Sequence, residues 1–343
     1  MSSISRRHFL LAAFGAGGAA AIGLSQSLSS RALAAPAPKR ATQALQFVRR
    51  AGFALGSEVS MLALHPSKSV AAEALDAAFS ELETVEAVMS IYRGGSQLSE
   101  LNRAGRVENP HPYLVNVLKT AQEAAERSDG AFDVTVQPLW ELYTSAKKAN
   151  RLPSRDEIER ARGLVDYRKL SVSKDRISLQ ARGMAVTLNG IAQGFAADRA
   201  IAALRQRGVT HALLNTGEIA ALGRKASNDR WVVGIQHPRR EEAYAGLAKL
   251  EGLCLSTSGD YQTTFSNDFV YNHIFDPSTG RSPTVFSSVT VVSAAGVEAD
   301  ALSTAVFVAG ATQGARLLES YNAAGFFVLK DGSTLKTAGF PLA

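Results

Sequence analysis

The chain has 343 residues, of which 46% are hydrophobic and 20% charged, a composition typical of a globular protein that can bury a core. The formal net charge is +6, and three of the positive charges, Arg6, Arg7 and Arg31, lie in the first 34 residues. Such a mild positive balance gives no support to nucleic-acid binding. Cys254 is the single cysteine, which excludes an internal disulfide and a thiolate metal cluster. It lies between two leucines, which favours a buried strand thiol over a nucleophile.

The N-terminal segment is typical of an export signal. Residues 5–11 carry a twin-arginine consensus, an apolar Gly/Ala-rich run covers 9–24, and 32–34 offer a cleavage site. A membrane anchor is the alternative, but about 16 apolar residues interrupted by glycines fall short of the roughly 20 that a spanning helix needs. We therefore expect a protein that is exported folded to the periplasm.

Three segments follow from this interpretation. Residues 1–34 are expected to be a twin-arginine signal peptide and residues 35–52 a flexible mature N-terminus. Residues 53–343 are expected to form one folded domain.

The periodicity after the signal predicts strands and helices in separate blocks. The predicted strands are 53–64, 169–173, 176–180, 184–188, 212–215, 231–236, 250–256 and 287–293. The predicted helices are 75–89, 113–127, 192–207 and one that begins near Asp300, and a last hairpin turns at Asp331-Gly332. Regular βαβ alternation, a GxGxxG loop and a Walker A loop are absent from the sequence. The expected class is α+β, with antiparallel sheets packed with helices.

Asp300 and Thr304 are four residues apart, which on a helix places both side-chain oxygens on one face. A carboxylate, a hydroxyl and a backbone carbonyl suit a hard cation such as Mg²⁺, which relies on substrate phosphates for further ligands. A helix cap is the ordinary alternative for an aspartate at such a position.

The run YNHIFDPSTG at residues 271–280 combines an imidazole with a Pro/Gly turn. His273 can act as a general base, because its unperturbed pKa lies near 6.5, or it can be a hydrogen-bonded core histidine.

Three further segments can contact a ligand. In GAFDVT at 130–135, Asp133 can accept a hydrogen bond from an amide or ribose group, or the segment is an ordinary turn. In MSIYR at 89–93, Tyr92 and Arg93 suit stacking on a planar ring and a phosphate contact, or are plain surface residues. GIAQGF at 190–195 opens a helix, so its free amides can face an anion, or it is a loop leading into a packed helix.

Together these segments resemble the flavin transferase family, the ApbE-like FAD:protein FMN transferases. The resemblance covers roughly residues 56–307 and depends on the order and spacing of several motifs. These are MSIYR (89–93), GAFDVT (130–135), GIAQGFAA (190–197), SGDY (258–261), HIFDPSTG (273–280) and ADALSTA (299–305).

The resemblance implies a T-fold-related catalytic domain over residues 53–343 and a set of site residues. Asp300, Thr304 and the carbonyl of Gly190 would hold Mg²⁺. His273 would be the base, with Asp276 as a possible orienting partner. The FAD site would be formed by Met89, Tyr92, Ala131, Phe132, Asp133, Gln193, Ser258 and Ile274.

The implied reaction moves FMN from FAD to a Ser or Thr hydroxyl of an exported or membrane-bound electron-transfer protein and releases AMP. A flavin-reserve protein and an Mg²⁺-dependent FAD pyrophosphatase are the alternatives. Several positions depart from the family pattern. Thr187 replaces a common aspartate, Gln193 replaces Lys or Glu, Thr216-Gly217-Glu218 replaces Gly-Gly-Asp, and Leu55-Gly56-Ser57 replaces Met-Gly-Thr.

Overall fold

The computed structural model describes residues 44–343, so the predicted signal peptide and its cleavage site lie outside the described residues. Leu45–Ala343 forms one unit. Within this part of the chain, no helix is both long and apolar enough to cross a bilayer.

The centre of the fold is an eight-stranded sheet in which every neighbouring pair of strands is antiparallel. Its strands, in spatial order, are β1 (Gln46–Ala54), β2 (Ser57–His65), β6 (His211–Asn215), β7 (Ile219–Leu222), β10 (Cys254–Gly259), β11 (Phe286–Ser293), β12 (Ala324–Leu329) and β13 (Thr334–Lys336). A small sheet contains β3 (Arg106–Glu108), β4 (Leu170–Val172) and β5 (Arg176–Leu179), and β8 (Trp231–His237) pairs with β9 (Arg240–Leu250) as a hairpin.

Seven α-helices are found in the described residues. They are α1 (Lys68–Met89), α2 (Gln97–Ala104), α3 (Pro112–Arg127), α4 (Gln137–Lys148), α5 (Arg155–Arg162), α6 (Ala192–Gln206) and α7 (Gly296–Ser320). Helix α7 is interrupted at Gly310, whose φ of 80° is the left-handed conformation that glycine tolerates best.

The sheet separates two apolar cores. On one face, α1, α6 and α7 bury a continuous cluster that includes Leu75, Leu204 and Phe307. On the other face, the β8–β9 hairpin covers a second cluster around Trp231 and Phe326. Both faces of β11 are therefore buried along its whole length, as expected for a central strand.

A long loop, residues 260–285, joins β10 to β11 and carries the predicted histidine. It packs on α4 and α5 through a third apolar cluster in which Tyr143, Phe265 and Phe275 meet. The hydroxyl of Tyr143 donates to the carbonyl of Gly280 at 3.2 Å. These contacts attach the loop to the helical side of the molecule.

Several predicted elements are confirmed. The α+β class, the helix ending at Arg127, the β4–β5 hairpin, helix α6 before Gly208, strand β11 and the last hairpin are all present. Cys254 is a buried thiol on β10, and burial raises its pKa.

Other predictions were wrong in their boundaries or type. Residues 184–188 are mostly buried but form no strand, because this apolar run crosses the core as irregular chain bonded to Asn102 and Val134. Strand β1 begins at Gln46, seven residues before the predicted domain start, within the segment expected to be flexible. Its residues are mostly exposed at the sheet edge, so they show little apolar alternation.

Candidate active site

Helices α6 and α7 approach each other at a pair of glycines. A Cβ built on Gly194 would lie 2.1 Å from the carbonyl oxygen of Gly296 and 2.7 Å from the Cβ of Asp300. A side chain at residue 194 would therefore force the helices apart. The contact explains why the glycine-punctuated start of α6 lies directly beside the start of α7.

Asp300 is buried at this contact, with 4% of its surface exposed. Its Oδ2 accepts a hydrogen bond of 2.9 Å from the backbone N–H of Gly194. One amide of the predicted anion-facing segment thus binds this carboxylate. Burial raises the pKa of Asp300, the charge of Asp198 adds to the rise, and the Gly194 amide opposes it.

Thr304 lies one turn after Asp300 on α7. Its Oγ1 is 3.0 Å from the Oγ of Ser258 on β10, and a Cβ built on Gly190 would lie 3.0 Å from the same Oγ1. Ser258 also pairs with Ser303 at 2.7 Å. The structure therefore brings Gly190, Ser258 and Thr304 together on the face of α7 that carries Asp300.

The donor set at this point fits a hard cation. Residues 44–343 contain no group of three or more His, Cys, Asp or Glu side chains able to hold a metal. A carboxylate, a hydroxyl and a glycine carbonyl are instead the available ligands, and such a set suits a cation that keeps water and phosphate ligands. The lack of a Cβ at Gly190 keeps the space beside Thr304 open.

The segment of residues 131–133 borders the same site. Phe132 is buried, and its ring lies 3.6 Å from a Cβ built on Gly190. Asp133 is also buried, with Oδ1 accepting from the backbone N–H and hydroxyl of Thr135 and Oδ2 from the N–H of Tyr167. Burial raises the pKa of Asp133. Its carboxylate thus holds the local turn, and Ala131 before Phe132 is half-buried.

Gln193 lies against the loop between β6 and β7. A Cβ built on Gly217 would lie 2.4 Å from the Nε2 atom of Gln193, and Gly217 has a φ of 101°. The neighbouring Glu218 accepts a hydrogen bond from the N–H of Thr257 at 3.3 Å. Two of the family departures, Gln193 and Thr216-Gly217-Glu218, are therefore neighbours in space.

His273 is half-buried in the 260–285 loop. Its Nδ1 is 3.3 Å from the carbonyl oxygen of Thr263, and Trp140 of α4 contacts the imidazole edge-on with 6.0 Å between ring centroids. A carbonyl only accepts, so Nδ1 donates and Nε2 of the neutral ring is left as an acceptor. Burial lowers the pKa of His273 to about 4, against weaker opposing effects of the Thr263 carbonyl and Asp260.

The carboxylate of Asp276 forms hydrogen bonds within its own turn. Its Oδ1 accepts from the N–H and hydroxyl of Ser278, and its Oδ2 accepts from the hydroxyl of Thr279 at 3.0 Å. The orienting hydrogen bond on His273 comes from Thr263. The structure thus gives Asp276 the turn role and does not bring its carboxylate to the imidazole.

The remaining predicted FAD residues differ in exposure. Met89 and Ile274 are buried in the apolar core, whereas Tyr92 is 76% exposed. Arg93, which follows Tyr92, is 3.0 Å from Glu86. Tyr92 is the one of the three side chains that is free to contact a ligand broadly.

Three residues that support this site were not predicted from the sequence. Asp198 of α6 accepts from the N–H groups of Gly296 and Val297 and so caps α7. Thr263 and Trp140 contact His273. Trp140 belongs to α4, a helix that the apolar periodicity did not predict. The sequence signal was available for Asp198, which lies four residues after Gly194.

Comparisons with known proteins agree with the motif pattern. The ApbE family model matches residues 55–327, so the chain belongs to the ApbE family. Among its relatives, the FAD:protein FMN transferase of Salmonella typhimurium is 28% identical over 75% of this chain and 77% of the relative. That of Treponema pallidum is 31% identical over 80% of this chain and 82% of the relative.

Solved structures show the same architecture. The apo flavinyl transferase ApbE of Pseudomonas stutzeri superposes with a TM-score of 0.75 at 30% identity, covering 86% of this chain and 95% of that one. The ApbE protein of Thermotoga maritima gives a TM-score of 0.76 at 29% identity, with coverages of 85% and 97%. These matches confirm the predicted flavin transferase fold.

Proposed function

We propose that this protein transfers FMN from FAD to a Ser or Thr hydroxyl of another protein and releases AMP. The observation that carries the proposal is that Gly190 lies beside Thr304 while Gly194 binds Asp300, one turn earlier on α7, in a chain of the ApbE family. The curated relatives are named FAD:protein FMN transferases.

Asp300, Thr304 and the Gly190 carbonyl are the proposed ligands of Mg²⁺. When bound, the cation would neutralise pyrophosphate charge and stabilise the leaving AMP phosphate. Gly194 holds Asp300 through its amide, so the carboxylate is fixed before substrate arrives. The hydroxyl of Ser258 forms a hydrogen bond with the hydroxyl of Thr304 and so holds it in position.

His273 is the proposed general base. Its Nδ1–H is held by the Thr263 carbonyl, and the unprotonated Nε2 can take the proton of the attacking hydroxyl. Because burial holds its pKa near 4, the ring is neutral at physiological pH. Trp140 limits the rotation of the ring.

The FAD site is proposed to use the residues around this centre. Phe132 and the chain at Ala131 would border the nucleotide beside Gly190, and Gln193 would contact it from the start of α6. Exposed Tyr92 would stack on the flavin ring. Met89, Asp133, Ser258 and Ile274 complete the proposed set.

The acceptor is proposed to be an exported or membrane-bound electron-transfer protein, and the enzyme is proposed to work in the periplasm. The support is the twin-arginine consensus at residues 5–11 and the small-residue cleavage site at 32–34.

An AMP assay separates this function from its alternatives. The mature protein is incubated with FAD and Mg²⁺, with and without a flavin-acceptor domain, and AMP is quantified by chromatography. The transferase releases AMP in proportion to the acceptor added. Equal release without an acceptor would indicate a pyrophosphatase, and bound FAD without any AMP would indicate a flavin-reserve protein.

A further inference from the structure

Strand β1 forms an open edge of the eight-stranded sheet. Its nine residues pair with β2 without a bulge, and within residues 44–343 no strand pairs with its other side. At roughly 3.4 Å per residue, this open edge is about 30 Å long. The strand at the opposite edge, β13, has only three residues. A long and regular edge strand such as β1 is a surface on which another strand can pair.

Every second residue of β1 directs its backbone groups to this open edge. The turn Leu55-Gly56 closes the β1–β2 hairpin with φ values of 53° and 75°, so Ala54 and Ser57 beside it form a hydrogen-bonded pair. The even-numbered residues of β1 therefore bond to β2, and the odd-numbered residues direct their N–H and C=O groups outward. These outward-directed residues are Phe47, Arg49, Ala51 and Phe53.

Two phenylalanines lie at equal distances from the centre of the strand. Phe47 and Phe53 are 70% and 66% exposed and share one face of the sheet, three residues before and after Arg50. If two copies of β1 pair antiparallel about a two-fold axis at Arg50, each Phe47 lies opposite Phe53 of the other copy. An axis at Arg49 would place that residue opposite itself, and an axis at Ala51 would place Phe53 opposite Arg49. The side chains therefore favour the register centred on Arg50.

A groove beside β1 offers carboxylates to the central arginines. It has a volume of about 420 Å³ and lies between residues 50–53 and a stripe of α1 that carries Asp76 and Glu83. Asp76 pairs with Arg50 of its own chain, whereas Glu83 has no ion-pair partner within residues 44–343. Two arginines that meet at the axis would repel each other without such groups. With two carboxylates to one arginine in each copy, the groove attracts Arg50 of the second copy.

We propose that β1 pairs with β1 of a second copy of this chain, antiparallel and about a two-fold axis at Arg50. The two eight-stranded sheets then form one continuous sheet, and each copy contributes the same edge to the interface. This edge contains no residue of the candidate active site, so the dimer is a property of the fold that goes beyond the proposed reaction. Because the contact is one strand from each copy, it forms a dimer that dissociates on dilution.

Sedimentation velocity of the mature protein, from about 1 μM to about 100 μM, should show a reversible monomer–dimer equilibrium. Phe47→Glu and Phe53→Lys each change both aromatic pairs and should each raise the dimer dissociation constant by at least about tenfold. Within one chain, Phe47 faces Leu64 and Phe53 faces Glu58, so neither substitution sets like charges opposite each other. Leu335→Lys, at an exposed position of β13, is the matched control and should dimerise like the wild type.

The variant that combines Phe47→Glu with Phe53→Lys tests the register. In the proposed register each introduced carboxylate lies opposite an introduced ammonium group of the other copy. At low salt the dissociation constant should therefore return to within about threefold of the wild-type value. Added salt should weaken this dimer more than the wild-type dimer. Thermal unfolding of every variant checks that β1 remains folded.

Three outcomes overturn the proposal. A wild-type protein that stays monomeric up to about 100 μM would leave the edge of β1 to a different occupant. Single variants that dimerise like the wild type would place the dimer interface elsewhere on the molecule. A combined variant that dimerises as weakly as the single variants would show that β1 does not pair in the register centred on Arg50.

Discussion

At the residue scale, burial determines the pKa of His273 and therefore its protonation state. Its imidazole is held by a backbone carbonyl and an aromatic edge instead of a carboxylate. A carboxylate partner would raise the pKa of the ring, whereas this environment lowers it. The result is a weak base that is fully available at neutral pH.

The pH dependence of His273 follows from this environment. In the folded protein its pKa is lowered from 6.5 to about 4. Between these two values the unfolded chain binds more protons, so this histidine makes stability fall as pH decreases from 6.5 towards 4. A ¹³C-histidine NMR titration, with His273→Asn identifying the signal, should give a midpoint near 4. A midpoint at or above 6.5 would contradict the described environment.

Asp300 is the residue on which cation binding should depend most strongly. Asp300→Asn keeps the shape of the side chain and removes its charge, so we expect the affinity for Mg²⁺ in the presence of FAD to fall by at least about tenfold. Titration calorimetry measures this affinity. Asp331→Asn, in an exposed turn, is the control. Wild-type affinity in Asp300→Asn would refute the ligand assignment.

At the element scale, the start of α7 is held by a side chain from another helix. The N-cap of α7, Ala295, offers no side-chain hydrogen bond. Asp198 of α6 instead accepts from Gly296 at 2.7 Å and from Val297 at 2.9 Å. The cap therefore fixes the helix turn that leads to Asp300, and the charge of Asp198 also contributes to the raised pKa of Asp300.

Asp198→Ala should lower the free energy of unfolding by about 1–2 kcal/mol, the usual cost of losing a cap. It should also weaken Mg²⁺ binding, because the first turn of α7 loses the cap that α6 provides. Ser154→Ala is the matched control, since it removes the capping box of α5 far along the chain. Urea unfolding should show similar destabilisation in both variants. Equal Mg²⁺ affinity in both would contradict the positioning role of Asp198.

Elements with strong local signals were predictable from the sequence, and elements defined by tertiary contact were not. Helix α3 ends at Arg127, with Ser128 as its C-cap, as its apolar stripe and stop signal indicate. Helix α5 has one buried residue, Ile158, and too little periodicity to be recognised. Strand β9 carries exposed charged residues and gains its regularity from pairing with β8.

The residues of the candidate site, like the elements of the fold, were predictable from the sequence only in part. The i, i+4 spacing of Asp300 and Thr304 gave the shared face of α7, and the structure adds Ser258 and Gly190 from distant parts of the chain. The partner of His273 could not be predicted, because a backbone carbonyl leaves no signature in the residue type.

At the scale of the whole molecule, a buried ion cluster joins the parts that surround the histidine loop. Asp260 is fully buried after β10 and pairs with Arg239 from the β8–β9 hairpin and with Lys330 after β12. Lys330 also donates to the carbonyl of Phe269 in the loop at 2.8 Å. The eight-stranded sheet, the β8–β9 hairpin and the 260–285 loop are therefore linked through the carboxylate of Asp260.

Asp260→Asn should lower the free energy of unfolding by about 3–5 kcal/mol, because it leaves two cations without their buried partner. Chemical denaturation measures the change. Glu159→Gln, which removes the exposed partner of Arg162, is the control and should cost less than about 1 kcal/mol. A loss below 1 kcal/mol in Asp260→Asn would show that the cluster is not a stabilising junction.

The most direct test of the central claim is the intact mass of an acceptor protein after incubation with the mature enzyme, FAD and Mg²⁺. We expect a gain of one FMN on the acceptor, and loss of that gain with His273→Ala although FAD still binds. An acceptor of unchanged mass, with FAD bound and several acceptor domains tried, would contradict the proposed transfer. Full labelling by His273→Ala would retain the transfer and remove the histidine from its mechanism.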